Sequence, residues 1–119
     1  MKYLCLVYHD EEKLEALPRS EYETLVADTL AYDEEIKQSG HYIASSVLEF
    51  VRTAATIRVR SGKLSVTDGP FAETKEQLGG YILIEASDLN EAIRIASKMP
   101  PARFGSIEVR PTRSLPWTR

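Results

Sequence analysis

The segment KYLCLVY, residues 2–8, has five consecutive apolar side chains between its lysine and its last tyrosine. Side chains of a β-strand point alternately to the two faces of a sheet, so an unbroken apolar run indicates a strand that is buried on both faces. The segment YILI, residues 81–84, repeats this pattern. We therefore expect both segments to lie in the interior of a β-sheet.

The rest of the chain places helices and further strands around these two segments. Ser20 with Glu23 forms a capping-box pattern at the start of a helix that Gly40 ends, and Asp88 with Glu91 forms the same pattern before a second helix. The predicted strands are residues 2–8, 42–51, 55–60, 64–67, 81–86 and 106–110, with a hairpin turn at residues 61–62.

The order of these elements, β-α-β-β-β-β-α-β, is that of a ferredoxin-like split βαβ fold with an extra β-hairpin. We expect one α+β domain over residues 1–119. Two helices cover only one face of such a sheet, yet several strands are apolar on both faces. The uncovered face therefore predicts a homodimer, in which two sheets pack together and close a dimeric α/β barrel.

Composition limits the classes of function. The 119 residues carry a net charge of −3 and 43% of them are hydrophobic, which argues for a packed core and against a nucleic-acid partner. The single cysteine, Cys5, lies in the apolar first segment, where we expect an inert packing residue. The apolar segments are too short for a signal peptide or a membrane span, so a cytoplasmic protein with no membrane partner is expected.

The segment VTDGPFAETKEQLGG, residues 66–80, is longer than a hairpin connection needs. Asp68 follows a predicted strand, and Gly69 with Pro70 restricts the path by which the chain leaves that strand. Such a position holds a carboxylate more rigidly than a free loop does. Two interpretations of Asp68 remain open, namely a site residue in a cleft and ordinary turn chemistry, in which the side chain bonds backbone donors of its own loop.

The string DGPFAETKEQLGGY, together with MKYLCLVYHDE and ARFGSIEVRP, resembles the DGPF group of the YCII-related family. The resemblance covers nearly the whole chain. It implies a ferredoxin-like fold that pairs into a dimeric α/β barrel, and a cleft beside the central sheet with a His–Asp pair. It also implies two kinds of function, because the family includes a member regarded as a chloromuconolactone dehalogenase and DGPF proteins occur beside sigma-factor-like regions.

The resemblance matches Asp68 to the aspartate of the DGPF motif. The family histidine belongs to the first helical region, and residues 20–40 contain none, so His9 and His41 are the candidate partners of Asp68. A carboxylate that orients an imidazole makes an acid–base couple, since imidazole titrates near neutral pH. The supporting residues that we predict are Tyr8, Ser45 and Thr67 for hydrogen bonds, Phe71 as an apolar contact, and Lys75 or Arg58 as a cation for a substrate carboxylate.

Two functions remain open for this chain. The first is an enzyme that transfers protons on a small organic acid or lactone, with Asp68 as acid or base in a cleft. The second is a noncatalytic ligand-binding or regulatory module that is linked to transcription initiation. The sequence has no histidine or cysteine spacing typical of a metal site and no glycine-rich phosphate loop, so neither a metal nor a cofactor is expected.

Overall fold

The computed structural model describes residues 1–116 and contains six strands. The strands are β1 Lys2–His9, β2 Tyr42–Val47, β3 Ala55–Arg60, β4 Lys63–Asp68, β5 Gln77–Glu85 and β6 Ser106–Pro111. The helices are α1 Glu11–Glu15, α2 Arg19–Gln38, α3 Leu89–Ser97 and α4 Pro101–Phe104, with a 3₁₀ turn at Val51–Thr53. Four strands form an antiparallel sheet in the order β2-β5-β1-β6, and β3 pairs with β4 in a separate hairpin. The predicted α+β fold with an extra hairpin is confirmed.

The hydrophobic core lies between one face of the sheet and the helices α2 and α3. Alternate residues of the two central strands point into this core, as the pleat of a strand requires. The buried side chains are Tyr3, Cys5, Val7, Ile36, Ile82, Ile84, Ala86, Ala92, Ile95, Ala96 and Met99. Burial raises the pKa of the Cys5 thiol from 9.0 to about 11, so Cys5 has the low reactivity of a packing residue.

The opposite face of the sheet has its own apolar side chains. Leu4 and Leu6 of β1 pair with Leu83 and Tyr81 of β5, and alternation directs all four away from the helices. These four side chains are only partly buried. The two-faced apolar pattern of the sequence therefore corresponds to one face that is packed within the chain and one that is not.

The β3–β4 hairpin also has one apolar face. Its two-residue turn, Ser61–Gly62, has positive φ angles of 51° and 74° and joins the strands where the sequence predicts it. The apolar face is formed by Ile57, Val59, Leu64 and Val66, whose exposed fractions are 59–68%. A two-stranded hairpin has little stability of its own, so this face lacks the partner that would stabilise it.

The overall dimensions agree with a hairpin that projects from the sheet. The Cα radius of gyration is 16.5 Å and the principal extents are 48 × 46 × 18 Å. A compact chain of this length has a radius of gyration of about 13.5 Å. The single chain is therefore flatter and more extended than a compact domain.

The first helix begins differently from the prediction. Helix α2 starts at Arg19, after Pro18, with no side-chain cap, so the predicted capping box of Ser20 and Glu23 does not form. Glu23 instead accepts a hydrogen bond from Arg19 at 2.9 Å. The C-terminal end is as predicted, because Gly40 has a φ of 81° and the amide of His41 donates to the carbonyl of Ile36.

Other boundaries and faces also differ from the prediction. β5 begins at Gln77 rather than at Tyr81, and β2 ends at Val47 rather than at residue 51. In α3, Leu89 and Ile93 are about half exposed, although the apolar periodicity predicts them in the core. The predicted cap of this helix does form, since the Asp88 carboxylate accepts from the amide of Glu91 at 2.8 Å. None of the helices within residues 1–116 is long and apolar enough to cross a membrane.

Candidate functional site

The largest apolar cavity lies between α2 and the sheet. The C-terminal half of α2 packs closely, because Ile36 is buried and the Tyr32 hydroxyl donates to the carbonyl of Ile95 at 2.7 Å. The N-terminal half does not pack closely, and its apolar residues Val26 and Leu30 line the cavity while remaining exposed. The gap has a volume of about 380 Å³, which is in the size range of small-molecule sites.

The cavity is lined mainly by apolar and aromatic residues. These residues come from β1, α1, α2, the ends of β2 and β5, and α4. The lining residues with apolar side chains include Val7, Leu14, Tyr22, Leu25, Ile82 and Phe104. Few polar side chains line the cavity, and each of these can therefore fix the orientation of a ligand.

His9 is the polar residue that lies deepest in the cavity lining. It ends β1 on the same face as Val7, and its Nε2 atom is buried without a hydrogen-bond partner. The ring lies directly over Gly79, since a Cβ atom at that position would come within 2.1 Å of the His9 Cε1 atom. Gly79 is the extra residue of a β-bulge, because Val7 pairs with Gly80 and Tyr8 pairs with Leu78. The bulge and the missing side chain together make room for the imidazole.

Hydrogen bonds fix the chain around His9. The amide of Glu11 donates to the Gln77 side chain at 2.9 Å, and the Glu11 carboxylate accepts from the amide of Val51 at 3.0 Å. These bonds connect α1 both to β5 and to the 3₁₀ turn. His9 therefore lies on a braced strand end and not in a free loop, which was the alternative location that the sequence left open.

Ser45 is a second polar residue of the cavity. It lies opposite Ile82 in the β2–β5 pair and so points to the helix side of the sheet. Its hydroxyl is 2.6 Å from the hydroxyl of Tyr42, which is partly buried against the core. The predicted contribution of Ser45 to a binding site agrees with this location.

Asp33 is a polar residue of the cavity that the sequence analysis did not select. It lines the cavity from α2 and makes no hydrogen bond or ion pair within residues 1–116. Burial is the main cause that raises the pKa of the Asp33 carboxyl, with Glu34 adding to the rise and Lys37 opposing it. The available signal was its position in the apolar stripe of α2, four residues after Thr29 and three before Ile36.

Asp68 does not line this cavity in the single chain. It is exposed at the end of β4, opposite Ala55, and its carboxylate makes no hydrogen bond or ion pair within residues 1–116. The next amide, that of Gly69, donates to the carbonyl of Ala54 at 2.7 Å. Since the 3₁₀ turn before Ala54 is bonded to Glu11, Asp68 lies at the same end of the sheet as His9.

The other predicted site residues lie apart from the cavity lining. Thr67 belongs to the polar face of the hairpin, and Phe71 and Lys75 are in the connection from β4 to β5, where Phe71 is 80% exposed. Arg58 lies on the same hairpin face as Thr67 and is also exposed. Tyr8 follows Val7 and therefore points to the opposite face of the sheet.

The structure does not bring His41 to Asp68 or His9. The carbonyl of His41 accepts from the amide of Glu85, whereas His9 pairs with Gln77 at the other end of β5. Eight residues of strand separate these two ends by about 27 Å. The His41 ring is 2.7 Å from the Ser39 hydroxyl and 3.5 Å from the Glu91 carboxylate.

Within residues 1–116, no three histidine, cysteine, aspartate or glutamate side chains come together in a group that could hold a metal ion. The polar side chains that the cavity does bring together are an imidazole, two serines, a threonine and a carboxylic acid. Such groups can accept, donate and transfer protons.

These features define a small α+β domain with a ligand-sized apolar cavity beside an antiparallel sheet. The chain belongs to the YCII-related domain family, whose model matches residues 1–117. It is 39% identical over 113 residues to an uncharacterized protein of Rhizobium meliloti (strain 1021), a match that covers 93% of this chain and 91% of that protein.

The fold is similar to a solved structure of the 5-chloro-2-hydroxyhydroquinone dehydrochlorinase TftG from Burkholderia phenoliruptrix, in complex with 2,5-dihydroxybenzoquinone. The TM-score is 0.57, the sequence identity is 16%, and both chains are covered over their full lengths. At this identity the comparison concerns the fold. A chain of the same architecture thus binds a small cyclic compound.

Proposed function

We propose that this chain binds a small cyclic organic compound in the cavity and catalyses proton transfer on it, with His9 as the acid or base. The observation that carries the proposal is the buried, unpartnered Nε2 atom of His9 in a mainly apolar cavity. A buried polar atom without a partner destabilises a fold by about 1–3 kcal/mol, and a hydrogen bond from a ligand removes that penalty.

The chemistry named for the structural relative supports the same class of reaction. A dehydrochlorination removes a proton and a chloride from one molecule. A base takes the proton, the electrons of the broken C–H bond form a new π bond, and chloride leaves with the electrons of the C–Cl bond. No oxidant or cofactor is required, and a neutral imidazole can serve as the base.

The proposal includes a homodimer and a role for Asp68. Asp68 belongs to the same face of the hairpin as Leu64 and Val66, because residues two apart in a strand share a face. If a second copy covers that apolar face, Asp68 is brought against the second copy. We propose that Asp68 then supplies the carboxylate of the acid–base couple, with Thr67, Phe71 and Lys75 near it in the assembled site.

The test is chloride release from 5-chloro-2-hydroxyhydroquinone by wild type, His9→Gln and His41→Gln. We expect His9→Gln to lower kcat/KM at least about a hundredfold, the lower end of the range for general acid–base groups. His41→Gln is the matched control, and we expect it to remain within about twofold of wild type because His41 lies at the other end of β5.

Equal losses in the two histidine variants, or an unaffected His9→Gln, would contradict the catalytic assignment. In the same assay Asp68→Asn is compared with Glu73→Gln, an exposed carboxylate of the same connection. A loss confined to Asp68→Asn supports its proposed role. The noncatalytic regulatory module stays a prediction, and ligand binding by wild type without any chloride release would favour it.

A further inference from the structure

Charge distribution in the cavity restricts the class of ligand beyond the proposed function, on which this inference rests. Among the described residues that line the cavity, none is a lysine or an arginine. The ionisable side chains in the lining, apart from two tyrosines, are His9 and Asp33. A ligand with a carboxylate would therefore meet a carboxylate of the protein and no cationic side chain that could pair with it.

The two ionisable groups lie at different positions along the cavity. His9 ends β1 near the N-terminal half of α2, where Tyr22 also lines the cavity. Asp33 lies eleven residues further along α2, which corresponds to about 16 Å of helix. Between these positions the lining is apolar and includes the aromatic ring of Phe104. The cavity thus provides an apolar middle with one hydrogen-bonding group toward each end.

We propose that the cavity selects an uncharged ring compound with at least two hydroxyl groups, one bonded to His9 and another donating to Asp33, and that Asp33 excludes carboxylate ligands. Hydroxyl groups satisfy both side chains, since a carboxylate accepts a hydrogen bond and a neutral imidazole nitrogen donates or accepts one. The proposal replaces the organic acid that the sequence analysis expected with a neutral polyhydroxylated ring.

The test compares hydroquinone with 4-hydroxybenzoate, in which a carboxylate replaces one hydroxyl group. Both are titrated under argon into ¹⁵N-labelled protein, and amide shifts give the Kd and the location of binding. For wild type we expect hydroquinone to shift the amides of Gly79, Gly80 and the second half of α2. We expect its Kd to be at least about tenfold lower than that of 4-hydroxybenzoate, which corresponds to 1.4 kcal/mol of discrimination.

Asp33→Asn tests which group causes the discrimination. We expect this variant to bind 4-hydroxybenzoate at least about threefold more tightly than wild type, because the like-charge repulsion is removed, and to bind hydroquinone no more tightly. Glu35→Gln, an exposed carboxylate on the same helix, is the control and should leave both Kd values unchanged. The amide spectrum of each variant also shows whether it is folded.

Three results would overturn the inference. The first is tighter binding of 4-hydroxybenzoate than of hydroquinone by wild type, the second is a ratio of Kd values that Asp33→Asn leaves unchanged, and the third is the absence of shifts at the cavity amides with either compound. The proposed function fails separately. If Asp33 controls the ligand preference while His9→Gln retains full chloride release, the ligand class stands and the catalytic role of His9 does not.

Discussion

The carboxyl of Asp33 is held in the cavity against its preference for water. Because burial raises its pKa, the folded chain keeps a proton on Asp33 at pH values where the unfolded chain has lost it. The unfolded state then binds fewer protons, so the free energy of unfolding falls as the pH rises through the window above the ordinary pKa of aspartate. Asp33 thus destabilises the fold above that window and not below it.

Urea unfolding of wild type and Asp33→Asn at matched protein concentration measures this effect. We expect the asparagine variant to be at least as stable as wild type near pH 7, by less than about 1 kcal/mol because the group is partly exposed. The advantage should disappear below about pH 4, where the ordinary aspartate is protonated. A variant that is less stable near pH 7 would show that the charged carboxylate has a favourable partner.

The candidate site shows what single residues reveal in a sequence. Asp33 interrupts an apolar stripe on one helix, which is a signal that the periodicity of α2 contains. The placement of His9 depends on a β-bulge and on the missing side chain of Gly79, which lies 70 positions away. The sequence identified both histidines and Ser45 as candidates, but it could not choose between the histidines because their distance is set by the register of β5.

The two helix caps provide a prediction about local structure. Asp88 accepts a hydrogen bond from the amide of Glu91, whereas Ser20 lies within the first turn of α2 and caps nothing. We expect Asp88→Ala to lower the free energy of unfolding by about 1 kcal/mol, and Ser20→Ala to leave it nearly unchanged. Urea unfolding of both variants checks this, and equal losses would show that Ser20 does cap α2.

Elements were more predictable than their boundaries. The core strands, the hairpin turn and the glycine at the end of α2 have local causes, namely continuous apolar runs and backbone angles that favour glycine. The start of α2 was wrong because Pro18 can begin a helix without a side-chain cap, and this made a capping-box pattern one turn later irrelevant. β5 starts four residues earlier than predicted because pairing with β1 extends it through two glycines.

The exposed apolar face of the hairpin gives a prediction for the whole molecule. We expect wild type to sediment as a dimer of the 13.4 kDa chain at micromolar concentration, with the hairpin covered by the second copy. Val66→Asp places a charge on the apolar face and should shift the protein toward monomer by at least about tenfold in Kd, since an unpaired buried charge is costly. Sedimentation velocity over a concentration series measures this.

Ser65→Asp is the matched control for the hairpin. It introduces the same side chain one residue away, on the face that carries Arg58 and points away from the apolar stripe. The dimer should be unaffected by this substitution. A wild-type protein that remains monomeric at high micromolar concentration, or equal dissociation in the two variants, would contradict the proposed interface.

The central position of β1 in the sheet has a consequence for how the chain acquires its structure. Tyr3 pairs with Ile84 on one side and with Pro111 on the other, so the ladders that build the sheet join positions that are far apart in sequence. Loops of this length must close before those contacts form, and folds dominated by distant pairings fold in milliseconds to seconds. On a ribosome, β1 therefore waits unpaired until most of the chain has emerged, and its apolar run is exposed to aggregation throughout synthesis.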